Sequence, residues 1–196
     1  MTEVVLFHHA QGLTRGVVAF ADALRAAGHV VHTPDLYEGR TFDSIDEGLE
    51  FVHGIGVGEI AARGVRSAAD FDADVVYAGF SLGVLPAQHL AQSRPGARGA
   101  LFFHACVPAA EFGTWPAGLA LQVHGMEHDP FFADEGDLDA ARELVAQLRA
   151  DDPAADAELF VYPGSEHLFA DSSLAAYQPE AAALLTERTL AFLARH

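Results

Sequence analysis

The chain alternates short, continuously apolar runs with longer amphipathic stretches, and this alternation limits its fold more than any other feature. Within the predicted strands, runs such as 4–7, 75–78 and 99–103 contain no polar residue in alternation with the apolar ones, as expected for strands buried on both faces. The stretches between them repeat apolar residues at helical spacing. This strand–helix order predicts a parallel sheet with helices packed against both faces.

The pattern predicts one domain over residues 1–196, of the α/β class, with a doubly wound and mostly parallel sheet. The predicted strands cover residues 4–7, 29–33, 74–78, 99–104, 119–124 and 157–162. The predicted helices cover residues 14–27, 46–68, 82–92, 138–149 and 180–194, the second of them weakened by four glycines. In such a sheet, ligands bind at the carboxyl ends of the strands, so the residues that follow each strand are the candidates for function.

The composition excludes several classes of partner. The chain carries 28 acidic and 11 basic residues, a formal charge of −17, which is unsuited to binding nucleic acid or an anionic membrane surface. Its single cysteine, Cys106, excludes an intramolecular disulfide and a cysteine-based zinc site. There is no signal-like N-terminal segment and no apolar run of the ~20 residues needed to cross a bilayer. We therefore predict a cytoplasmic location.

One serine stands between a predicted buried strand and the helix that follows it, in the run Gly79-Phe80-Ser81-Leu82-Gly83. At such a sharp turn, the residues two before and two after the serine must be small to avoid the neighbouring backbone. The Leu82 amide would then face a developing oxyanion. The alternative is an ordinary strand–turn–helix junction, whereas a phosphate-binding loop is excluded because no Gly-Lys-Ser/Thr follows. The run predicts Ser81 as the nucleophile of an α/β-hydrolase fold without a large lid.

A serine hydroxyl needs a base to remove its proton and an acid to orient that base. In this fold the acid and then the histidine follow the nucleophile along the chain. His167 comes directly after the last predicted strand and is the expected base. Asp129 follows the preceding strand, and the pair Asp129-Pro130 favours a turn that fixes the carboxylate. Glu127 and Asp134 remain alternatives for the acid.

The loop after the first strand is expected to complete the oxyanion hole, since Gly12 permits a tight backbone path there. The predicted donors are the amides of Ala10 and Leu82, with Gln11 as the alternative to Ala10. Other polar and aromatic residues near strand ends are expected to line the substrate pocket. These predicted pocket residues are His9, Gln11, Arg40, His104, Trp115 and Phe131.

Four features together resemble the dienelactone hydrolase family over nearly the whole chain. They are the loop with Gly12, the run Pro34-Asp35-Leu36-Tyr37, the run 79–83 around Ser81, and the block Gly164-Ser165-Glu166-His167-Leu168-Phe169-Ala170-Asp171 leading to Tyr177 and 179–182. The resemblance implies a compact hydrolase of lactones or esters that needs no cofactor.

Three positions depart from the best-known members of that family. Those members carry cysteine in place of Ser81, glutamate in place of His9, and an arginine that binds the dienelactone carboxylate where Leu174 stands. Arg40 alone would supply one cationic contact, which leaves a two-point clamp on an anionic lactone incomplete. We therefore expect a serine-bearing relative that acts on substrates other than dienelactone.

Five further histidines fall at or near predicted strand ends: His8, His9, His104, His124 and His128. With Asp129 or Asp35 they would suit zinc, although their spacing matches no zinc motif. We predict polar lining of the pocket and no metal. The sequence thus indicates a serine hydrolase of a small carboxylic ester or lactone, working as a monomer or homodimer. A non-catalytic small-molecule binding protein and a metal-dependent hydrolase are the alternatives.

Overall fold

Six parallel strands form one sheet in the computed structural model, which describes all 196 residues. The strands are β1 (Glu3–Phe7), β2 (Val30–His32), β3 (Val76–Phe80), β4 (Gly99–Phe103), β5 (Ala120–Met126) and β6 (Ala157–Tyr162), in the spatial order β2-β1-β3-β4-β5-β6. Every residue of β3, β4 and β5 is buried, which explains why β3 and β4 are continuously apolar. Strand β5 also buries two polar side chains, Gln122 and His124.

Six helices cover the two faces of the sheet. They are α1 (Arg15–Ala26), α2 (Ile45–Ile55), α3 (Val57–Ser67), α4 (Val84–Ser93), α5 (Asp137–Asp151) and α6 (Pro179–Leu193). Helices α1 and α6 pack into one apolar cluster, whereas α2 to α5 pack into a second cluster on the opposite face. This arrangement confirms the predicted doubly wound α/β-hydrolase fold, and no additional lid domain is present.

Three of the differences from the predicted boundaries concern the elements around the serine and the helix predicted over 46–68. The helix predicted over 46–68 is two helices, because Gly56 adopts a φ of 101°, which ends α2 and starts α3 in a new direction. Strand β3 continues to Phe80, two residues beyond the predicted end. The helix expected from Leu82 begins at Val84, after a single 3₁₀ turn over Ser81–Gly83.

The topology brings distant loops to one edge of the sheet. Strands β1 and β3 are neighbours, and the chain leaves β1 toward β2 on one side and continues from β3 toward β6 on the other. A crevice opens where the direction of winding reverses, outside the carboxyl ends of these strands. The loops that follow β1, β3, β4, β5 and β6 all begin at that edge.

None of the helices combines the length and apolar character that crossing a lipid bilayer requires.

Candidate active site

Ser81 lies at the carboxyl end of β3 in a backbone conformation that side chains rarely adopt. Its φ is 49°, in the left-handed region, which costs a non-glycine residue about 1–2 kcal/mol. The flanking glycines are required by space: a Cβ on Gly79 would come within 2.2 Å of the Gly83 carbonyl oxygen. A Cβ on Gly83 would come within 2.5 Å of the Phe7 carbonyl oxygen on β1. The turn therefore depends on both glycines and holds Ser81 at the crevice.

His167 lies between Ser81 and Asp129. The Ser81 Oγ and His167 Nε2 atoms are 2.8 Å apart, and His167 Nδ1 is 2.6 Å from Asp129 Oδ2. When Nδ1–H donates to the carboxylate, the lone pair of Nε2 faces the hydroxyl and accepts its hydrogen bond. The three side chains that the sequence singled out are thus hydrogen-bonded in the order needed to withdraw a proton from the serine.

The surroundings of Asp129 fix its carboxylate. The residue is fully buried, and its Oδ1 accepts hydrogen bonds from the amides of Phe131 at 2.9 Å and Phe132 at 3.3 Å. The two alternative acids, Glu127 and Asp134, are exposed and form no hydrogen bond with the imidazole of His167. Burial and two amide donors leave Asp129 Oδ2 directed at the histidine.

The loop after β1 presents the Ala10 amide beside the serine. This amide donates to no acceptor within the chain, whereas the Gln11 amide donates to His9 Nδ1 at 3.2 Å. The geometry therefore favours Ala10 over Gln11 as a free donor. Helix α2 packs directly on this peptide, since a Cβ on Gly48 would come within 2.2 Å of the Ala10 carbonyl oxygen. Ala10 and Leu82 border the same cavity as Ser81.

A cavity of about 190 Å³ opens beside Ser81 and His167. This volume is below the usual range for drug-sized ligands and suits a small organic group. Its apolar wall is formed by Ile45, Leu49, Leu85, Val107 and Phe131. A more voluminous groove of about 720 Å³ lies between the loop after β6 and α6, but it includes neither the serine nor the imidazole.

Two of the six predicted pocket residues border this cavity, namely His104 and Phe131. The Phe131 ring lies 4.7 Å from the His167 ring, centre to centre, and covers one side of it. His9 does not line the cavity, because its buried ring turns away and Nε2 bonds to Asp171 at 2.8 Å. The pocket role predicted for His9 is therefore corrected.

The predicted pocket roles of Gln11, Arg40 and Trp115 are corrected as well. The Gln11 side chain donates to the Phe42 carbonyl at 3.1 Å, and Arg40 lies over the Phe51 ring at 5.3 Å. Trp115 packs beneath a loop, where its indole N–H donates to the Leu119 carbonyl at 3.1 Å. Each side chain is engaged by its own neighbours, outside the residues that border the cavity.

His8 and His124 are fully buried and hold neutral hydrogen-bond networks. His8 Nδ1–H donates to the His9 carbonyl at 2.8 Å and Nε2 accepts from the Leu36 amide at 3.0 Å. His124 bonds to the Tyr162 hydroxyl and to Gln122 Oε1, each at 2.8 Å. Burial lowers the pKa of His8 to about 4 and that of His124 to about 3.

Nowhere in the chain do three side chains of His, Cys, Asp or Glu come close enough together to hold a metal ion.

His104 differs from the other buried histidines because neither of its ring nitrogens has a partner. It follows β4 with a φ of 66°, and its ring stacks on Phe80 at 5.8 Å between ring centres. The edge of Phe169 and the ring of His167 complete its surroundings, at 4.7 and 5.7 Å. Burial lowers its pKa well below the usual value, so the ring is neutral.

Two further carboxylates were not recognised from the sequence as part of the site. Asp171 accepts hydrogen bonds from His9, Thr14 and Ser173. Burial alone would raise its pKa, but these hydrogen bonds lower the value to about 2. The residue ties the loop of the candidate base to the loop that carries Ala10. Its position four residues after His167 was the available sequence signal.

Asp137, the first residue of α5, borders the cavity beside the serine. Its Oδ2 accepts a hydrogen bond from the Cys106 amide at 3.0 Å. Burial raises its pKa to about 6, and the neighbouring charges of Glu135 and Asp129 act in the same direction. No sequence pattern marked this position, because its place on the cavity wall depends on where α5 begins.

The whole chain, residues 1–196, matches the family model described as the dienelactone hydrolase family. No curated protein matches the chain significantly. Among solved structures, a Klebsiella pneumoniae protein with a provisional assignment as a dienelactone hydrolase is 20% identical, with a TM-score of 0.71 over 100% of this chain and 88% of that one.

Two other solved structures share the fold. A dienelactone hydrolase-like promiscuous phosphotriesterase from metagenomic libraries is 18% identical, with a TM-score of 0.73 over 100% of this chain and 86% of that one. Esterase 2 of Thermogutta terrifontis, in a form phosphonylated by cyclosarin, is 14% identical, with a TM-score of 0.63 over 99% of this chain and 82% of that one. The fold, the family model and these neighbours agree: the chain is a hydrolase of the α/β type and belongs to the dienelactone hydrolase family.

Proposed function

We propose that this protein is a serine hydrolase that cleaves a small carboxylic ester or lactone through an acyl-enzyme. The observation that carries the proposal is the pair of hydrogen bonds that His167 makes, at 2.8 Å to Ser81 Oγ and at 2.6 Å to Asp129 Oδ2. A hydroxyl, an imidazole and a buried carboxylate in this order have the geometry of general-base activation.

The first half of the reaction forms the acyl-enzyme. His167 Nε2 takes the proton of Ser81 as Oγ attacks the carbonyl carbon, and the carbonyl oxygen becomes an oxyanion. The amides of Ala10 and Leu82 donate to that oxyanion, an interaction that strengthens as the charge develops. The imidazolium then gives its proton to the departing alkoxide as the carbon–oxygen bond breaks. Asp129 stays ionised and stabilises the imidazolium without taking its proton.

The second half releases the acid. Water takes the position of the departed alcohol, and His167 removes one of its protons as the water oxygen attacks the acyl carbon. The bond to Ser81 Oγ breaks, and the imidazolium returns the proton to that oxygen. The free carboxylic acid leaves and the resting site is restored. No metal or cofactor is needed for any of these steps.

The size and lining of the cavity support a small, weakly polar substrate. About 190 Å³ and a mostly apolar wall accommodate a short acyl group or a small ring. No arginine borders the cavity, and Arg40 lies over Phe51 instead. Dienelactone, which carries a carboxylate, would find no arginine partner here, so we propose esters or lactones without a carboxylate over the namesake substrate of the family.

The proposal is tested with p-nitrophenyl acetate and a fluorophosphonate probe. We expect hydrolysis of the ester and covalent labelling of Ser81, both lost in Ser81→Ala. A matched control is Ser165→Ala, because Ser165 is exposed and borders the other groove. Ser81→Ala that retains activity, or wild-type protein that neither hydrolyses esters nor reacts with the probe, would contradict the proposal. The second outcome favours a non-catalytic binding protein.

Two further expectations concern the setting of the enzyme. We propose a cytoplasmic location and a monomeric or homodimeric state, with a small-molecule ester or lactone as the substrate and neither nucleic acid nor membrane as a partner. The charge of −17 supports the exclusion of anionic partners. Fractionation of cells and light scattering of the purified protein measure location and oligomeric state directly.

A further inference from the structure

The wall of the cavity beside Ser81 carries two carboxylates and no basic residue other than histidine. Glu135 borders it from the loop that leads into α5, and Asp137 borders it from the first turn of that helix. The chain contains no lysine, and none of its arginines borders the cavity. A ligand held against Ser81 therefore meets negative charge on one side and no permanent positive charge on any other.

The two carboxylates differ in exposure and in hydrogen bonding. Asp137 is partly buried and uses Oδ2 to accept from the Cys106 amide at 3.0 Å, which fixes the side chain against the wall. Glu135 is exposed at the rim. Burial raises the pKa of Asp137 to about 6, so above that pH the carboxylate is an ionised group held at a partly desolvated position. A charge in such a position acts on a nearby ligand more strongly than one in bulk water.

The imidazoles on the wall do not compensate this charge. His104 is 1% exposed, and burial keeps its ring neutral. Both of its nitrogens lack a partner within the chain, although a buried polar atom without a partner is costly. His104 borders the same cavity but contributes no positive charge to its wall. His167 is committed to Ser81 and Asp129.

We propose that the cavity selects esters whose bound portion is cationic or uncharged and rejects those that carry a carboxylate, with Asp137 and Glu135 as the specificity-determining residues. This inference rests on the hydrolase function proposed above. Its physical basis is Coulomb's law: two ionised groups a few ångströms apart in a partly desolvated cavity interact by enough to change binding on the order of tenfold. An arginine clamp would favour anionic substrates, whereas these two carboxylates disfavour them.

Two matched pairs of esters measure the preference on the intact enzyme. Butyrylthiocholine and 3,3-dimethylbutyl thiobutyrate have nearly the same shape and differ in one positive charge. The hemisuccinate and the butyrate of p-nitrophenol differ in one negative charge on the acyl group. We expect kcat/KM to be about tenfold higher for the cationic member of the first pair and about tenfold lower for the anionic member of the second. Both effects lie mainly in KM, because the charge is bound equally in ground and transition states.

Two variants assign the preference to the wall. Asp137→Asn keeps an oxygen to accept from Cys106 and Glu135→Gln keeps the shape of the rim, so each variant should reduce both ratios severalfold. Asp134→Asn is the matched control, because it removes one exposed acidic charge from the same loop but does not border the cavity. The inference would be overturned if Asp137→Asn and wild type gave equal kcat/KM ratios for the two ester pairs. It would also be overturned if Asp134→Asn changed these ratios as much as Asp137→Asn does.

A binding measurement separates this inference from the hydrolase function. Choline and its uncharged isostere 3,3-dimethylbutanol are titrated into Ser81→Ala protein, with the amide resonances of Phe131 and Asp137 followed by NMR. We expect choline to bind about tenfold more tightly, a difference that Asp137→Asn reduces. If wild type fails to hydrolyse any ester but this difference is found, only the proposed function fails. Equal binding, in an enzyme that does label at Ser81, refutes the selectivity alone.

Discussion

Acidification from pH 7.5 to 5.0 should cost this fold much of its stability, because it contains buried neutral histidines. His8 and His124 have pKa values lowered to about 4 and about 3, in each case mainly by burial. In the unfolded chain both return to an ordinary value near 6.5. The unfolded state therefore takes up protons first as the pH falls. Their contribution to stability is intact above pH 6.5 and is lost as the pH drops toward the folded-state values.

The size of the effect follows from these pKa values. At pH 5.0 each unfolded histidine is 1.5 pH units below its own pKa, whereas each folded one is still mostly neutral, so each costs about 2 kcal/mol. His8 and His124 together lower the free energy of unfolding by about 4 kcal/mol. His104 acts in the same direction, since its pKa is also lowered by burial. Asp137 has a pKa raised to about 6, so it takes up a proton in the folded state before it does so in the unfolded chain. This uptake offsets part of the lost free energy of unfolding.

Urea denaturation followed by circular dichroism at the two pH values measures this loss directly. A change of about 4 kcal/mol corresponds to a shift of about 2 M in the urea midpoint for a slope near 2 kcal/mol/M. His124→Gln keeps a donor and an acceptor for Gln122 and Tyr162 but cannot titrate. We expect its stability to fall by about 2 kcal/mol less than that of wild type over the same pH range.

The control for this prediction is His128→Gln, because the side chain of His128 is 75% exposed. It should leave the pH dependence unchanged. If His124→Gln and wild type lose the same free energy between pH 7.5 and 5.0, then the charge state of the buried ring does not control acid stability, and the reasoning from burial is wrong.

Three further predictions concern the site. Asp129→Asn should lower kcat for p-nitrophenyl acetate by roughly 10³- to 10⁴-fold while leaving the circular dichroism spectrum unchanged, because the imidazole loses its orienting carboxylate. Gly79→Ala should prevent the recovery of soluble folded protein, because the new Cβ would lie 2.2 Å from the Gly83 carbonyl oxygen. The control is Gly54→Ala, where no atom lies within 4 Å of the new Cβ; this variant should fold and be at least as stable as wild type. Asp171→Ala should lower the free energy of unfolding by about 1–3 kcal/mol in urea denaturation, because it leaves the buried ring nitrogen of His9 without its hydrogen-bond partner.

The fold and the candidate nucleophile follow from local patterns in the sequence. Continuous apolar runs predict buried parallel strands, and all six are present within a few residues of their predicted positions. Ser81 is recognisable because its backbone turn demands glycine on both sides, a requirement that leaves a mark in the sequence. His167 and Asp129 could be selected because each follows a strand whose place in the sheet is fixed by the order of elements.

The lining of the pocket could not be predicted in the same way. Which side of a loop faces the cavity depends on hydrogen bonds to partners far away in the sequence, as the bond between His9 and Asp171 illustrates. Trp115 and Arg40 lie in loops that follow strands, but contacts with nearby residues hold their side chains away from the cavity. Asp137 is not predictable from the sequence, because its position on the cavity wall depends on where α5 begins. Helix boundaries are the least certain part of a prediction from sequence.

The bond between His9 and Asp171 joins residues 162 positions apart, and the one between Ser81 and His167 joins residues 86 positions apart. During synthesis the N-terminal part of a chain emerges first and begins to fold while the remainder is still being made. A nascent chain that ends before β6 already holds the serine and the loop with Ala10, but it has neither the imidazole nor the carboxylate that anchors that loop. The proposed nucleophile therefore lacks its proposed base in any nascent chain that ends before His167, and the constellation can assemble only after the residues that follow β6 have been added.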